Sequence, residues 1–498
     1  MRFAGNCALR GLSPQIDDMP VILKSSSEFR GTFFCRKSKV IYLLFYVTIN
    51  ICQMKGSFNI SDLKKKFMHF MLPSVLSMIV FSMYTVVDGF FVAKFVGKEA
   101  LAAVNICMPF VNFIFALAML PSRGTATLAG IFLGRGEKVN AGKLFTFTFT
   151  ASLLFSVLFY VFVRVNLYNI VSFLGAPDSL IEDSAKYISI ISLFNSFFIL
   201  SYIMEIMVKT DGFPIISAIG VTSSAITNIV LDYIFVAVFH LGISGAAYAT
   251  GIAQAVSFSL FFLHFLSHES KLKFMKFKPD FSIYKKVLPI GLGDFISEIS
   301  VSTVILLYNH FLLKYVGEFA LVSYTVVSYT ALFVNMTMAG VTQGVQPLIS
   351  YHLGKNEPAV CNRLFKYAVF TVFVFSIAAI STIFVFADKI TAIFLKADDI
   401  FVFSYTTKAL KVFGLSFSLS GFNILIGGYF SAKGKALQSA VISVCRGIIA
   451  VYIALKISVM LPFEYSIWLS PTFSESACLI LCLFLLYTEK NLHDCRHV

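Results

Sequence analysis

Long apolar runs separated by short polar loops recur along the chain from residue 67 to residue 487. A run of about 20 apolar residues is long enough for one helix to cross a bilayer. A transmembrane β-barrel would show alternating segments of roughly ten residues instead, and backbone groups in lipid must bond within their own segment, which leaves α-helices. The pattern predicts an all-α integral membrane protein with twelve spans. They are 67–96, 100–132, 144–165, 179–208, 213–240, 243–267, 284–315, 319–352, 362–386, 400–430, 436–458 and 463–487.

Lysine and arginine residues concentrate in alternate loops between these runs, which predicts the orientation of the protein. The loops on one side carry Lys64, Lys65, Lys66, Arg135, Lys138, Lys143, Lys209, Lys271, Lys273, Lys276, Lys278, Lys285, Lys286, Lys355, Arg363, Lys366, Lys433 and Lys435. Such loops remain cytoplasmic under the positive-inside rule, so both termini should be cytoplasmic. The basic residues of these loops account for the net charge of +14, so nucleic acid is not an expected partner.

The first 53 residues differ from the rest, since they hold one apolar run, 40–52, that is too short to span comfortably. A signal peptide is disfavoured because this run lies far from the amino terminus and lacks a clear cleavage site. Met54 opens a short basic segment that leads into the first span. We therefore expect Met54 to be the native start and residues 1–53 to be a non-native or disordered extension.

An internal repeat divides the remaining chain into two halves of like orientation. The turn Leu133–Glu137 matches Leu353–Glu357 at an offset of 220, and Gly212 matches Gly434 at an offset of 222. At the first offset the identical positions between 95 and 137 are Val96, Gly97, Ala100, Leu101, Phe113, Gly124, Leu128, Leu133, Gly134 and Glu137. Parallel repeats of this kind are a transporter architecture in which one half rocks against the other.

The repeat fixes the predicted domain boundaries. These are an amino-terminal six-helix lobe at 54–268, a basic cytoplasmic linker at 269–283, a carboxy-terminal six-helix lobe at 284–488 and a cytoplasmic tail at 489–498. The fold expected is two pseudo-symmetric six-helix bundles.

Acidic residues inside the apolar runs are the candidate functional groups. Asp88 lies in the first span, and Asn228 and Asp232 share one helix face in the fifth because they are four residues apart. A carboxylate in hydrocarbon is costly and marks a functional site by default. These oxygens could bind Na⁺, or the two carboxylates could share a proton, since two close acids in low dielectric cannot both ionise cheaply. Placement at the membrane surface, or pairing for stability alone, is the alternative.

Other chemistry is disfavoured by the composition and motifs. The chain is 58% hydrophobic and 13% charged, about half the charged fraction of a soluble protein. The nine cysteines form no CxxC pair, so Cys478 and Cys482 are expected to pack in a core. His264 and His268 are spaced for zinc, but a third ligand is missing. Without a Walker motif or a catalytic constellation, we expect an ion gradient as the energy source, no cofactor and no enzyme activity.

Several motifs together resemble the multidrug and toxic compound extrusion family, in a bacterial branch. The resemblance covers residues 60–488. The motifs are Val87-Asp88-Gly89-Phe90-Phe91-Val92, Val96-Gly97 with Ala100-Leu101, Leu133-Gly134-Arg135-Gly136-Glu137, Asn228-Ile229-Val230-Leu231-Asp232 and Gly242-Ile243-Ser244-Gly245-Ala246-Ala247-Tyr248-Ala249-Thr250. The resemblance implies two six-helix bundles that form a V around a central cavity.

The resemblance also implies roles for individual residues. The family's amino-terminal cation or proton site falls on Asp88, Asn228, Asp232 and Thr250, and Pro73 matches a proline that bends the first span. A second acidic site fits less completely. Glu298 and Asp294 lie near its place in span seven, but Asp388 and Asp398 fall outside the middle of span ten, so a carboxy-terminal cation site stays open.

These observations predict a secondary-active antiporter of the cell membrane. It would export an amphipathic, cationic compound in exchange for H⁺ or Na⁺, with Glu205, Asp294 and Glu298 as acids of the substrate cavity, and would act as a monomer within membrane lipid. The alternative is a flippase for a lipid-linked saccharide, whose pyrophosphate would need several cations in the cavity. Only Arg123, Arg164 and Arg446 lie near spans, which disfavours it.

Overall fold

A computed structural model describes residues 60–278, 281–395 and 400–494. The proposed start at Met54, the extension 1–53 and Asp398 lie outside the described residues. The described chain is almost entirely helical. Its helices are α1 Ile60–Phe95, α2 Lys98–Gly134, α3 Lys138–Val165, α4 Leu167–Phe173, α5 Ile181–Leu193, α6 Asn195–Asp211, α7 Pro214–Asp232, α8 Gly242–Leu266, α9 Phe281–Tyr315, α10 Phe319–Gly354, α11 Pro358–Phe394, α12 Ile400–Gly414, α13 Phe417–Ala432, α14 Ala436–Val444, α15 Ala450–Val459 and α16 Ser466–Asp494.

The helices confirm the predicted all-α membrane fold. Ten segments of the described chain are long and apolar enough to span a bilayer, and two bent helix pairs raise the number to twelve if each pair is one span. The bent pairs are α5 with α6, at 49°, and α12 with α13, at 45°. They form the fourth span of each half, so the break repeats along with the sequence.

The two largest hydrophobic cores of the described residues correspond to the two halves, and α1 takes part in both. Val92, near the end of α1, packs in the amino-terminal core with residues such as Phe145 and Phe198. Phe67 and Met71, near the start of α1, pack in the carboxy-terminal core. Helix α1 therefore crosses from one lobe to the other, and it runs through the buried Pro73 as a single helix.

Glycine residues let the lobes approach each other backbone to backbone. A Cβ on Gly134 would lie 2.0 Å from the carbonyl oxygen of Tyr351, and one on Gly354 would lie 2.1 Å from that of Ile131. The repeated turns thus meet each other across the pseudo-twofold axis. Further contacts of this kind join Gly124 to Val287 and Gly291 to Leu120 on α2 and α9, and Gly340 to Val75 and Gly344 to Met71 on α1 and α10. All of them lie towards the end of the spans that carries the basic loops.

The first part of the linker between the lobes is held against the amino-terminal lobe by hydrogen bonds. The buried carboxylate of Asp211 accepts backbone hydrogen bonds from Lys271 at 2.9 Å and Leu272 at 3.0 Å. Its other oxygen lies 2.9 Å from Nε2 of His264. The described residues contain no group of three or more His, Cys, Asp or Glu side chains that could hold a metal. His264 is therefore a buried partner of Asp211.

Candidate functional site

Packing of α1 against α7 brings Asp88 and Asp232 together, although 144 residues separate them (232 − 88). Their carboxylates are close enough to interact directly. Asp232 is fully buried and Asp88 is partly buried. Two ionised carboxylates can only accept hydrogen bonds, so a bond between them requires a proton on one. The two carboxyl groups thus attract each other when one carries a proton and repel each other when both are ionised.

Unsatisfied oxygen atoms make this pair a candidate site for a proton or a cation. Oδ1 of Asp88 and both carboxylate oxygens of Asp232 are buried without a hydrogen-bond partner in the described structure, as is Oδ1 of Asn228. Buried polar atoms are nearly always paired, and those that are not need an explanation such as an ion or a proton. The atoms that could bind an ion here are all oxygens, which are the ligands that hard cations prefer. This set fits Na⁺ as well as H⁺.

Thr250 completes the cluster from the neighbouring helix α8. The amide of Asn228 donates a hydrogen bond to the Thr250 hydroxyl at 3.3 Å, and that hydroxyl donates to the carbonyl oxygen of Ala246 at 3.0 Å. This arrangement fixes the Asn228 side chain with Nδ2 turned to Thr250, which leaves its carbonyl oxygen unpaired. Directly after Asp232 the chain forms a π-helical turn, Tyr233–Val238, a feature common at functional sites. The structure therefore brings all four residues of the predicted site together.

A second polar cluster joins the lobes, and it is centred on Arg123 of α2. Its guanidinium lies 3.4 Å from the Asp294 carboxylate on α9 and donates to Gln346 on α10 at 2.9 Å. It also donates to the hydroxyl of Tyr202 at 3.0 Å. Arg123 is thus a bridge between halves, and Asp294 is neutralised by it rather than left as an isolated cavity acid.

Lys209 is a correction to the sequence analysis, which placed it in a basic loop. The structure buries it within α6 at 1% exposure, with Nζ 2.7 Å from the Glu205 carboxylate and 3.0 Å from Gln343 of the other lobe. A buried lysine next to a carboxylate is an internal ion pair. Glu205 is therefore also compensated. Among the three acids assigned to a cavity, Glu298 is the one for which the described residues show no ion pair.

Sequence reasoning missed a third cluster, which lies inside the carboxy-terminal lobe. Glu475 of α16 accepts two contacts from Arg446, from Nη2 at 2.9 Å and from Nε at 3.0 Å, and the Asn423 amide donates to the same carboxylate at 2.7 Å. The sequence did contain a signal for this cluster, because Glu475 is an acidic residue inside the predicted apolar span 463–487. This acid is already paired with a permanent cation, so it differs from the unpaired carboxylates of the amino-terminal lobe.

Comparison with known proteins identifies the family. The model of the family described as MatE matches residues 73–234 and 295–455, one stretch in each half. The chain belongs to the MatE family. The first matched stretch contains three of the four coupling candidates, Asp88, Asn228 and Asp232. Thr250 lies beyond its end. As a MatE protein the chain is a multi-pass membrane transporter, as predicted.

Similar proteins cover most of this MatE chain. The multidrug export protein MepA of Staphylococcus haemolyticus is 25% identical over 436 residues, which is 87% of this chain and 95% of the relative. MepA of Staphylococcus aureus is 23% identical over the same share of this chain and 96% of its own.

Solved structures show the same fold. An outward-facing multidrug resistance MATE family transporter of the MOP superfamily superposes with a TM-score of 0.83 at 19% identity, covering 89% of this chain and all of the other. A MATE protein in complex with MaL6 gives a TM-score of 0.82 at 20% identity, covering 87% and 97%.

Proposed function

We propose that this MatE protein is an antiporter that exports amphipathic organic cations in exchange for H⁺ or Na⁺ through Asp88, Asn228, Asp232 and Thr250. The observation that carries the proposal is the buried Asp88–Asp232 pair with its unsatisfied oxygens. The names of the MepA relatives, multidrug export proteins, support the substrate class.

Coupling follows from the charge state of this pair. When both acids are ionised they repel each other in a site with little water to screen them. A proton on either one converts the repulsion into a hydrogen bond between α1 and α7 and draws the helices together. Because α1 also packs in the core of the other lobe, a shift of α1 changes the inter-lobe contact. Ion binding thereby favours one arrangement of the lobes.

Sodium would use the same atoms. The carboxylates of Asp88 and Asp232, the Asn228 carbonyl and the Thr250 hydroxyl are the oxygens available to it. Na⁺ would remove the repulsion between the carboxylates as a proton does. Transport should therefore need the two acids whichever ion is used, and the imposed gradient that drives it should distinguish the two ions.

Glu298 is the group we assign to the cationic substrate. Arg123 with Asp294 and Lys209 with Glu205 form neutral pairs, whereas Glu298 adds a negative charge that the described residues do not pair. A monovalent organic cation would balance it. The same accounting disfavours a flippase for a lipid-linked saccharide, since Arg123 and Lys209 are already compensated and cannot neutralise a pyrophosphate.

Dye efflux tests the proposal. Cells producing the protein would be loaded with ethidium and given a proton gradient, then a Na⁺ gradient. Wild type should expel dye under one gradient, and Asp232→Asn should not. Asp183→Asn is the matched control, because Asp183 is 43% exposed and its one ion pair within the described residues is with Lys186 at 3.6 Å. Dye efflux by Asp232→Asn at the wild-type rate would show that the coupling site is wrongly assigned.

A further inference from the structure

A cavity of about 550 Å³ lies between the start of α3 and the linker, apart from the coupling site. It is lined by Asn140, Lys143, Leu144, Phe147, Lys276, Phe277, Lys278 and Ile283. Neither the family match nor the transport proposal gives this cavity a role.

The linker itself builds one wall of the cavity. The backbone N–H of Met275 donates to the Thr146 hydroxyl at 2.9 Å, which fixes the segment along α3. Phe274 packs on Phe145 with ring centroids 5.0 Å apart, and Phe277 packs on Phe147 at 5.5 Å. These contacts hold Lys276 and Lys278 beside Lys143. The lysines are thus gathered by a docked segment.

The cavity has a cationic rim and an apolar floor. Lys143, Lys276 and Lys278 are exposed, and the ion pairs of the described residues do not include them. Leu144, Phe147 and Ile283 supply apolar surface below them. The Phe147 ring also lies 4.9 Å from that of Tyr284 and 5.8 Å from that of Phe281, at the start of α9. A tyrosine at the end of a span, such as Tyr284, is typical of the membrane interface.

We propose that this cavity binds the headgroup of an anionic phospholipid, with the phosphate on the lysines and the first part of the acyl chains on the aromatic floor. Basic pockets between membrane helices on the cytoplasmic side suit such headgroups. A free phosphate would use the rim but not the floor, so the lipid accounts for both surfaces. The bound lipid would stabilise the docked linker, which connects the two lobes.

The internal repeat provides a matched comparison. Arg363 corresponds to Lys143 at the offset of 220 (363 − 143), and Lys366 lies beside it, both exposed at the start of α11. The pair Arg363 and Lys366 is therefore basic and exposed at the equivalent place in the other lobe, and neither residue lines the cavity.

Native mass spectrometry of the delipidated full chain tests the proposal by titration with phosphatidylglycerol, phosphatidylcholine or inorganic phosphate. We expect one tightly retained phosphatidylglycerol in wild type and in Lys143→Arg/Lys276→Arg. Lys143→Gln/Lys276→Gln should lose affinity by on the order of 30-fold, since each lysine near an anionic membrane surface contributes roughly a factor of five. Arg363→Gln/Lys366→Gln should retain the lipid.

Three results would overturn the lipid site. The first is equal retention of phosphatidylglycerol by the Gln double variant and wild type, which would show that these lysines do not hold it. The second is equal retention of phosphatidylcholine, which would show that headgroup charge is not recognised. The third is displacement of the lipid by millimolar inorganic phosphate, which would identify a simple anion site. The Arg variant separates loss of charge from loss of fold.

Discussion

At the scale of single residues, the unpaired carboxylates and the paired ones should respond differently to neutralisation. Removing one charge from the Asp88–Asp232 pair relieves repulsion and leaves no buried counter-charge alone. We expect Asp88→Asn and Asp232→Asn to keep wild-type thermal stability while losing ion-driven efflux. Thermal unfolding in detergent, followed in parallel with dye transport, measures both properties. A large drop in melting temperature in either variant would mean that the pair is structural.

Glu475 should show the opposite behaviour. Glu475→Gln leaves Arg446 in the lobe without its carboxylate, and breaking a buried ion pair costs about 3 kcal/mol or more. The exposed Asp183–Lys186 pair is the control, because surface pairs contribute roughly 0–1 kcal/mol. We expect Glu475→Gln to melt well below wild type and Asp183→Asn to melt close to it. Equal melting of the two variants would contradict the structural role given to Arg446.

The residue-level differences between sequence and structure have physical causes. Asp88, Asn228 and Asp232 could be found from the sequence because an acid in an apolar run is expensive and therefore informative. Lys209 was misplaced because a lysine near the end of a span is normally at the surface, and only tertiary contact with Glu205 and Gln343 explains its burial. That Arg446 compensates Glu475 likewise depends on the packing of α16, which one sequence does not reveal.

At the scale of helices, hydrophobic pattern predicted where the spans lie but not where they break. The predicted fourth span, 179–208, is the pair α5 and α6, which bends between Leu193 and Asn195. Neither glycine nor proline marks that bend, so the sequence carried no local signal for it. The π-helical turn after Asp232 was also not predicted, because the apolar pattern continues through it.

The close approach of α2 and α10 gives a prediction at this scale. A Cβ on Gly354 would lie 2.1 Å from the Ile131 carbonyl oxygen, and that backbone cannot turn aside as a side chain can. We expect Gly354→Ala to separate the lobes at the end with the basic loops. Labelling of a cysteine at Ser350, which is 1% exposed, should become faster in a cysteine-free background.

Gly427→Ala is the control for that variant. Its Cβ would meet the nearest atom, on Ile442, at 3.6 Å, which is an ordinary contact. It should leave the labelling rate unchanged. If Gly354→Ala also labels at the wild-type rate, the two turns do not form the closed contact that the structure shows.

At the scale of the whole molecule, the orientation predicted from the basic loops can be tested directly. Lys366 lies on the basic side at the start of α11, and Lys186 lies near the start of α5 towards the opposite side, with 57% of its side chain exposed. In a cysteine-free background, a membrane-impermeant maleimide added to intact cells should label Lys186→Cys and not Lys366→Cys. The reverse pattern would place the termini outside the cell.

The account depends most on the claim that Asp88 and Asp232 couple ion movement to export. The most direct measurement is ethidium transport by purified protein in liposomes, with an imposed proton gradient and, separately, an imposed Na⁺ gradient. We predict that one gradient accelerates wild-type transport at least tenfold, which corresponds to about 1.4 kcal/mol, and that Asp88→Asn shows no acceleration under either. Acceleration of Asp88→Asn equal to that of wild type would contradict the account.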